Sequence, residues 1–247
     1  MLKNTCITYN NPSHQRFQEE FERLYSDKFS QYHAYNREWI EKTEFFKKNS
    51  YMFSLEKYAG YFLWKPYCIK TTLDLFFSGQ VLYCDCNLRF KNFKRFEELY
   101  NEYMLQEGMF VIKHLPWVNA HWTKRDTFIL MNADEARYWE AHQVWSVILG
   151  FDNNPRSREI LDDYLYYCRS PQIVTEYPNM CGEPNIPGFR EHRWEQSVIS
   201  ILVERYGIKG VWDVDVLDVI EKVYDTDLYA YKEQVNKNPL RKVGQDE

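Results

Sequence analysis

The stretch Gly79-Gln80-Val81-Leu82-Tyr83-Cys84-Asp85-Cys86-Asn87 most limits what this chain can become. An apolar run opened by Ser78-Gly79 ends on one acidic side chain and then a small polar one. Val81, Leu82 and Tyr83 read as a buried strand. Asp85 and Asn87 then fall at its carboxyl end, where open α/β sheets bind ligands. On an extended chain, residues i and i+2 point the same way. A carboxylate and an amide carbonyl so placed suit a hard divalent cation or a sugar hydroxyl.

The rest of the chain supplies neighbours for that strand. Thr5 to Tyr9 reads as a first strand, closed by Asn10-Asn11-Pro12, and Phe17, Phe21 and Leu24 share a helical face. Phe29 to Tyr35 reads as a second strand, followed by a polar helix through Trp39, Ile40 and Phe45. This β-α-β opening predicts parallel strands with covering helices. Pro66 opens a helix with Ile69, Leu73, Phe76 and Phe77 on its apolar face. Asn92 is a helix N-cap, with Phe93, Phe96, Tyr100 and Tyr103 on one face and Gly108 at the end. Phe110 to Ile112 is a strand candidate, and Asn132 to Glu135 resembles a capping box. The helix it opens is expected to carry Tyr138, Ala141, His142, Trp145 and Leu149. Asn154-Pro155 starts another helix, and Trp194, Val198, Ile201 and Leu202 mark a last one, ended by Gly207.

Pro171, Pro178, Pro184 and Pro187 bar regular structure between these last two helices. A long loop of this kind is expected to be functional or mobile, and residues 175–190 are placed to act as a lid. No repeat or linker divides the chain. The expected fold is α/β: a single Rossmann-like domain over residues 1–230, its central mixed, mostly parallel sheet flanked by helices. Residues 231–247 are expected to form a charged tail or terminal helix.

Composition removes several classes. A net charge of -5 does not suit a nucleic-acid binder. The 6 cysteines are scattered, and Cys84-x-Cys86 has no second pair at zinc spacing. The amino terminus lacks an apolar leader, and no apolar run approaches the roughly 18 residues that span a bilayer. A cytoplasmic location is therefore expected, with membrane contact peripheral at most. There is no GxGxxG, Walker loop, GxSxG or HExxH, and only 9 glycines. A metal ion or a lysine is then the expected partner for any phosphate.

Three blocks carry a family resemblance. Val81-Leu82-Tyr83-Cys84-Asp85-Cys86-Asn87 resembles the "YxDxD" segment of GT-A glycosyltransferases, which transfer sugars from nucleotide-sugar donors. Gly60-Tyr61-Phe62-Leu63-Trp64-Lys65-Pro66-Tyr67 resembles a "GYGYWLWKPY" block in a group of bacterial and viral glycosyltransferases. His192-Arg193-Trp194-Glu195-Gln196-Ser197 resembles their "HRxDQS" block, and the order and spacing of the three agree over roughly residues 50 to 210.

The resemblance implies roles. Asp85 and Asn87 would hold a divalent cation, Mn²⁺ or Mg²⁺, on the donor pyrophosphate, although Asn87 stands where the motif has a second acid. Thr8, Tyr9 and Asn10 would lie under the base and ribose. Tyr61, Trp64, Lys65 and Arg193 would also bind donor, Lys65 beside a helix N-terminus that suits a diphosphate. Glu195 and Gln196 would work at the sugar, with His192 completing a metal or phosphate site. Trp194 is expected to face the core and its neighbours to point elsewhere. Lys124-Arg125-Asp126 resembles a "TKRD" segment and would meet a phosphate on donor or acceptor. The implied partners are a nucleotide-sugar donor and a glycan or lipid-linked acceptor, in surface polysaccharide assembly. Two alternatives stay open. One is a sugar nucleotidyltransferase, though its glycine-rich loop is missing after Tyr9. The other is a non-catalytic nucleotide-sugar binder, which Asn87 favours.

Overall fold

A computed structural model describes residues 2–55, 57–75 and 79–223. Phe76, Phe77, the 230 boundary and the tail at 231–247 lie outside the described residues. In chain order the described strands are β1 (Leu2–Asn10), β2 (Phe29–Asn36), β3 (Gln80–Cys84), β4 (Leu88–Phe90), β5 (Met109–Phe110), β6 (Ile112–Val118), β7 (His142–Val144), β8 (Ile148–Asp152), β9 (Val211–Trp212) and β10 (Ile220–Lys222). The long helices are α1 (Gln15–Tyr25), α2 (Trp64–Asp74), α3 (Phe93–Glu107), α4 (Pro155–Cys168) and α5 (Trp194–Arg205).

The central sheet has the order β2-β1-β3-β8-β5. β1 pairs in parallel with both β2 and β3. β8 is antiparallel to β3 and to β5, so it alone runs against the others. The sheet is thus mixed and mostly parallel, with helices on its faces, as the β-α-β opening predicts. Successive side chains on a strand take opposite faces. Ile7, Val81, Tyr83, Leu149 and Phe151 share a core with residues of α2, α4 and α5. Cys6, Leu82, Cys84, Phe110 and Ile148 join Phe21 of α1 and Phe96 and Tyr100 of α3. Both faces are therefore covered, which explains why β3 reads as a continuous apolar run. Gly150 of β8 is needed for this packing: a Cβ there would stand 2.8 Å from the Tyr100 ring and 2.9 Å from Phe110.

Asn92 and Asn154 cap α3 and α4 as expected, accepting from the backbone N–H groups of Arg95 and Ser157. Two other expectations fail. The helix expected through Leu149 is only Ala136–Glu140, and the chain then forms β7 and β8. The run Val147-Ile148-Leu149-Gly150-Phe151 is a short apolar segment that periodicity cannot tell from a buried helix. Pairing with β3 over five consecutive residues decides it. The polar helix after β2 is broken into Arg37–Glu41, Glu44–Lys48 and Ser50–Phe53. Asn36 and Thr43 each cap a fresh start there, accepting from Trp39 N–H and Phe46 N–H.

Just before α2 the backbone makes a left-handed turn. Tyr58, Ala59, Tyr61 and Phe62 all have positive φ, with Gly60 at +90° between them. Each non-glycine residue in this region costs about 1–2 kcal/mol. Aromatic contacts offset the cost: Tyr58 stacks on Phe62 with centroids 4.6 Å apart and packs 4.4 Å from Trp194. Tyr61 Oη donates to Glu176 Oε2 at 2.8 Å. Trp194 Nε1 and Lys57 Nζ donate to Oε1 of the same carboxylate.

A second sheet, β7-β6-β9, sits beside the first, and β4 pairs with β10. The carboxyl ends of β1 and β3 and the chain entering β8 meet along one edge of the central sheet. The second sheet and the β4–β10 ribbon extend that edge.

Candidate functional site

The site begins at Asp85. The chain does not stay extended after β3: Leu88 N–H donates to the Asp85 carbonyl at 3.0 Å, closing a turn. The side-by-side geometry expected of Asp85 and Asn87 on a straight strand is replaced by this turn, although both still line one cavity. Tyr83 Oη donates to Asp85 Oδ1 at 2.6 Å, and Lys222 Nζ to Oδ2 at 2.8 Å. Lys222 arrives through β10, whose register places it opposite Leu88. Burial alone would raise the Asp85 pKa. The ammonium groups of Lys222 and Lys65 and the two hydrogen bonds hold it below the usual carboxylate value. Burial and the Asp85 charge push the Tyr83 phenol well up, so it remains a neutral donor.

Lys65, expected to meet the donor diphosphate, is buried in the cleft wall and already paired. Its Nζ lies 2.6 Å from Glu195 Oε1 and 3.1 Å from the Ser146 carbonyl. Ser146 Oγ donates to the same Glu195 oxygen at 2.9 Å. The expectation for Trp194 is reversed as well. Trp194 is half-buried and lines the cleft, whereas Glu195 turns inward. A buried carboxylate is tolerable because Lys65 and Ser146 meet it. Glu195 Oε2 is nevertheless buried with no hydrogen-bond partner. Gln196 also lines the cleft, donating to Gln143 Oε1 at 3.0 Å.

Two cavities meet at this centre. One, about 350 Å³, is lined by Lys65, Ser146, Glu195 and Gln196 together with His114, Trp117, Trp145, Arg193 and Trp194. The other, about 220 Å³, lies at the end of β1 among Tyr9, Asn11, His14, Tyr58, Trp64 and Asn87. Asp85, Lys222 and Phe62 belong to both. The Trp64 ring is stacked on Tyr9 at 3.7 Å, so one indole face is already covered. Tyr9 Oη is a second buried polar atom without a partner. Arg193 spans Trp117 and Trp122, its guanidinium 5.0 and 4.8 Å from the ring centroids, and pairs with Glu191.

Other candidate residues lie elsewhere. Thr8 is buried, its hydroxyl 3.0 Å from Tyr32 Oη. Asn10 ends β1 without lining either cavity, and Tyr61 is held on Glu176. His192 is buried away from Asp85: Nε2 donates to the Ile173 carbonyl at 2.8 Å, and Nδ1 accepts from Lys124 N–H at 3.4 Å. Burial and the Lys124 charge push its pKa down to about 3, so this ring is a neutral structural group. Lys124, Arg125 and Asp126 fasten the proline-rich loop. Lys124 Nζ donates to the Tyr177 carbonyl at 3.0 Å, and Arg125 N–H to Asn185 Oδ1 at 2.8 Å. Asp126 accepts from Met180 N–H at 2.9 Å, from Cys181 N–H at 3.0 Å and from Gln172. These bonds fasten the loop at several points, and it lines a separate cavity with Lys124 and His192.

The implied divalent cation fits this donor set poorly. Asp85 brings one carboxylate, already met by an ammonium and a phenol, and Asn87 is neutral. Among the described residues no group of three or more His, Cys, Asp or Glu side chains gathers to hold a metal. Hard cations take six or more oxygens. A cation on Asp85 would have to displace Lys222.

Four site residues escape sequence reasoning: Lys222, Ser146, His114 and Asp213. Each is brought in by strand register from a distant segment with no motif of its own. Among the described residues no helix is long and apolar enough to cross a membrane.

No family model and no curated protein matches the chain. Among solved structures, it is similar to a glycosyltransferase involved in the glycosylation of the major capsid of PBCV-1, at 10% identity and a TM-score of 0.46, over 95% of this chain and 98% of that one. It is also similar to mouse xyloside xylosyltransferase 1, apo form, at 9% identity and a TM-score of 0.45, over 85% of this chain and 84% of that one. A third similar structure is described as a glucose-1-phosphate thymidylyltransferase from Bacillus anthracis in complex with a sucrose, at 9% identity and a TM-score of 0.35.

Proposed function

We propose that this protein is a GT-A-type glycosyltransferase, moving a monosaccharide from a nucleotide-diphosphate sugar to a hydroxyl of a glycan or lipid-linked acceptor. One observation carries the reading: two aromatic-lined cavities meet at Asp85 and Lys222, at the carboxyl edge of a mostly parallel sheet. Ligands bind at such edges. The cavity beside β1 suits the nucleoside, with Tyr9 and Asn87 in its wall. The ammonium of Lys222 would balance the diphosphate, the role otherwise expected of a cation. The sugar would lie toward Glu195 and Gln196, where Glu195 Oε2 still lacks a partner and a sugar hydroxyl could donate. Aromatic walls keep water from the anomeric carbon and limit hydrolysis. Surface polysaccharide assembly is the setting the sequence resemblance suggests.

The nucleotidyltransferase alternative needs a phosphate cradle after β1. The chain there runs Asn11 and a short turn at Pro12–His14 with no glycine. The test is turnover of a panel of UDP-, GDP-, ADP- and dTDP-sugars, read as nucleotide released. Slow release of a nucleoside diphosphate from at least one donor supports transfer. Binding of every donor without turnover, or pyrophosphorolysis of a donor, would overturn it.

A further inference from the structure

His114 and Asp213 lie outside every motif, yet His114 stands in the wall of the larger of the two cavities, with Asp213 directly behind it. β9 runs parallel to β6 with Lys113 opposite Trp212. The residues that follow, His114 on β6 and Asp213 just after β9, are therefore brought face to face. His114 Nδ1 lies 2.9 Å from Asp213 Oδ2, while Asp213 Oδ1 accepts from Leu115 N–H at 3.1 Å and Val214 N–H at 2.9 Å. The carboxylate is thus fixed from three directions, and it fixes the ring. Nδ1 carries the proton toward Asp213, leaving Nε2 as an acceptor. The imidazole packs between Trp117 and Trp145, with centroids 4.7 and 5.6 Å away. All three rings line the cavity that holds Glu195 and Asp85.

The two carboxylates of that cavity are each tied to an ammonium. Glu195 Oε1 is bound to an ammonium and a hydroxyl, and Asp85 to an ammonium and a phenol. We infer that His114 is the general base of the proposed transfer, oriented by Asp213, and that the acceptor is a sugar whose ring lies against Trp117 and Trp145. This rests on the transfer reading above and deepens it. The acceptor hydroxyl oxygen forms the new bond to the anomeric carbon while the bond from that carbon to the diphosphate oxygen breaks. The bonding pair leaves with the diphosphate, and the hydroxyl proton passes to His114 Nε2. One displacement of this kind inverts the anomeric configuration.

The surroundings suit the role. The charged groups facing the ring are Asp213 from the segment after β9 and Arg193 from the start of α5, and His142 of β7 donates to the His114 carbonyl. Burial and the Arg193 charge outweigh Asp213 and lower the His114 pKa, so the ring is neutral and ready to accept at pH 7.

The experiment uses the full chain, nucleotide hexoses as donors and p-nitrophenyl monoglycosides as acceptors. His114→Ala should lower kcat on the order of 100- to 10,000-fold, with donor KM little changed. Imidazole in the buffer should restore part of the loss. Asp213→Asn should lower kcat with thermal stability kept, and should displace the acidic limb of the pH profile. Product analysis by NMR should show inversion. Normal kcat in His114→Ala, absence of imidazole rescue in a folded variant, or retention of configuration would each overturn the base while leaving transfer intact. If the wild-type protein turns over no donor, the transfer reading itself falls, and the base with it. Should His114→Ala not fold, His114→Gln, which keeps polar bulk, carries the same comparison.

Discussion

Lys65 Nζ and Glu195 Oε1 are 2.6 Å apart, and both side chains are almost wholly buried, at 2% and 3% exposure. The pair ties the first turn of α2 to the first turn of α5. Removing one partner leaves a buried charge unmet, which costs about 3–5 kcal/mol. Lys65→Met and Glu195→Gln should each lower the urea midpoint accordingly. Lys65→Met combined with Glu195→Leu should recover much of the loss. Near wild-type stability in either single variant would mean that water or a relaxed side chain compensates the charge.

Asp85 contributes more to turnover than to folding. It ends a strand instead of filling the core, and it positions Lys222. Asp85→Ala should reduce donor turnover on the order of 100-fold or more while circular dichroism is unchanged. A variant with near-normal turnover would remove Asp85 from the site.

Asp126 holds the proline-rich loop. Asp126→Ala leaves the Met180 and Cys181 N–H groups without their acceptor, at about 1–3 kcal/mol. Hydrogen exchange at Met180 and Cys181 should rise in the variant. In the wild-type protein, exchange over residues 177–189 should change little when nucleotide is added. A large protection on binding would restore the lid.

His192 gives stability a pH dependence of known sign. Its pKa is about 3 when folded against 6.5 ordinarily. Between these values the unfolded chain binds more protons than the folded one, so stability is full above 6.5 and falls as pH drops below it. The slope is at most about 1.4 kcal/mol per pH unit. Urea midpoints at pH 7, 6 and 5 should show this slope, and His192→Gln should flatten it. The activity profile should not report His192.

Much of the scaffold was legible locally. β1, β3 and α3 follow from apolar runs and from the Asn92 and Gly108 signals at the ends of α3. The site was legible only in part. Asp85 is legible because a strand end is a local feature. Lys65 and Glu195 were singled out by resemblance, but their burial was not, since each is tolerated inside only through a partner 130 residues away. His114 and Asp213, 99 residues apart, depend on the β6–β9 register, which no local pattern encodes. The proline-rich loop looked mobile because composition shows missing regular structure and not the side chains that fasten it.

The span of these pairings also orders events in time. Lys65 meets Glu195, and Asp85 meets Lys222, across 130 and 137 residues. While the ribosome is making the chain, β1, β2 and β3 can pair long before either contact exists. The half-made protein holds Lys65 and Asp85 without the residues that neutralise them. Closing such long loops is slow and comes late. A nascent chain stopped before residue 195 therefore has a sheet but no cleft, and one stopped between 195 and 222 has a cleft without the cation proposed for the diphosphate. The pocket is complete only when the last of these contacts forms, so a truncated product is expected to be inert instead of partly active.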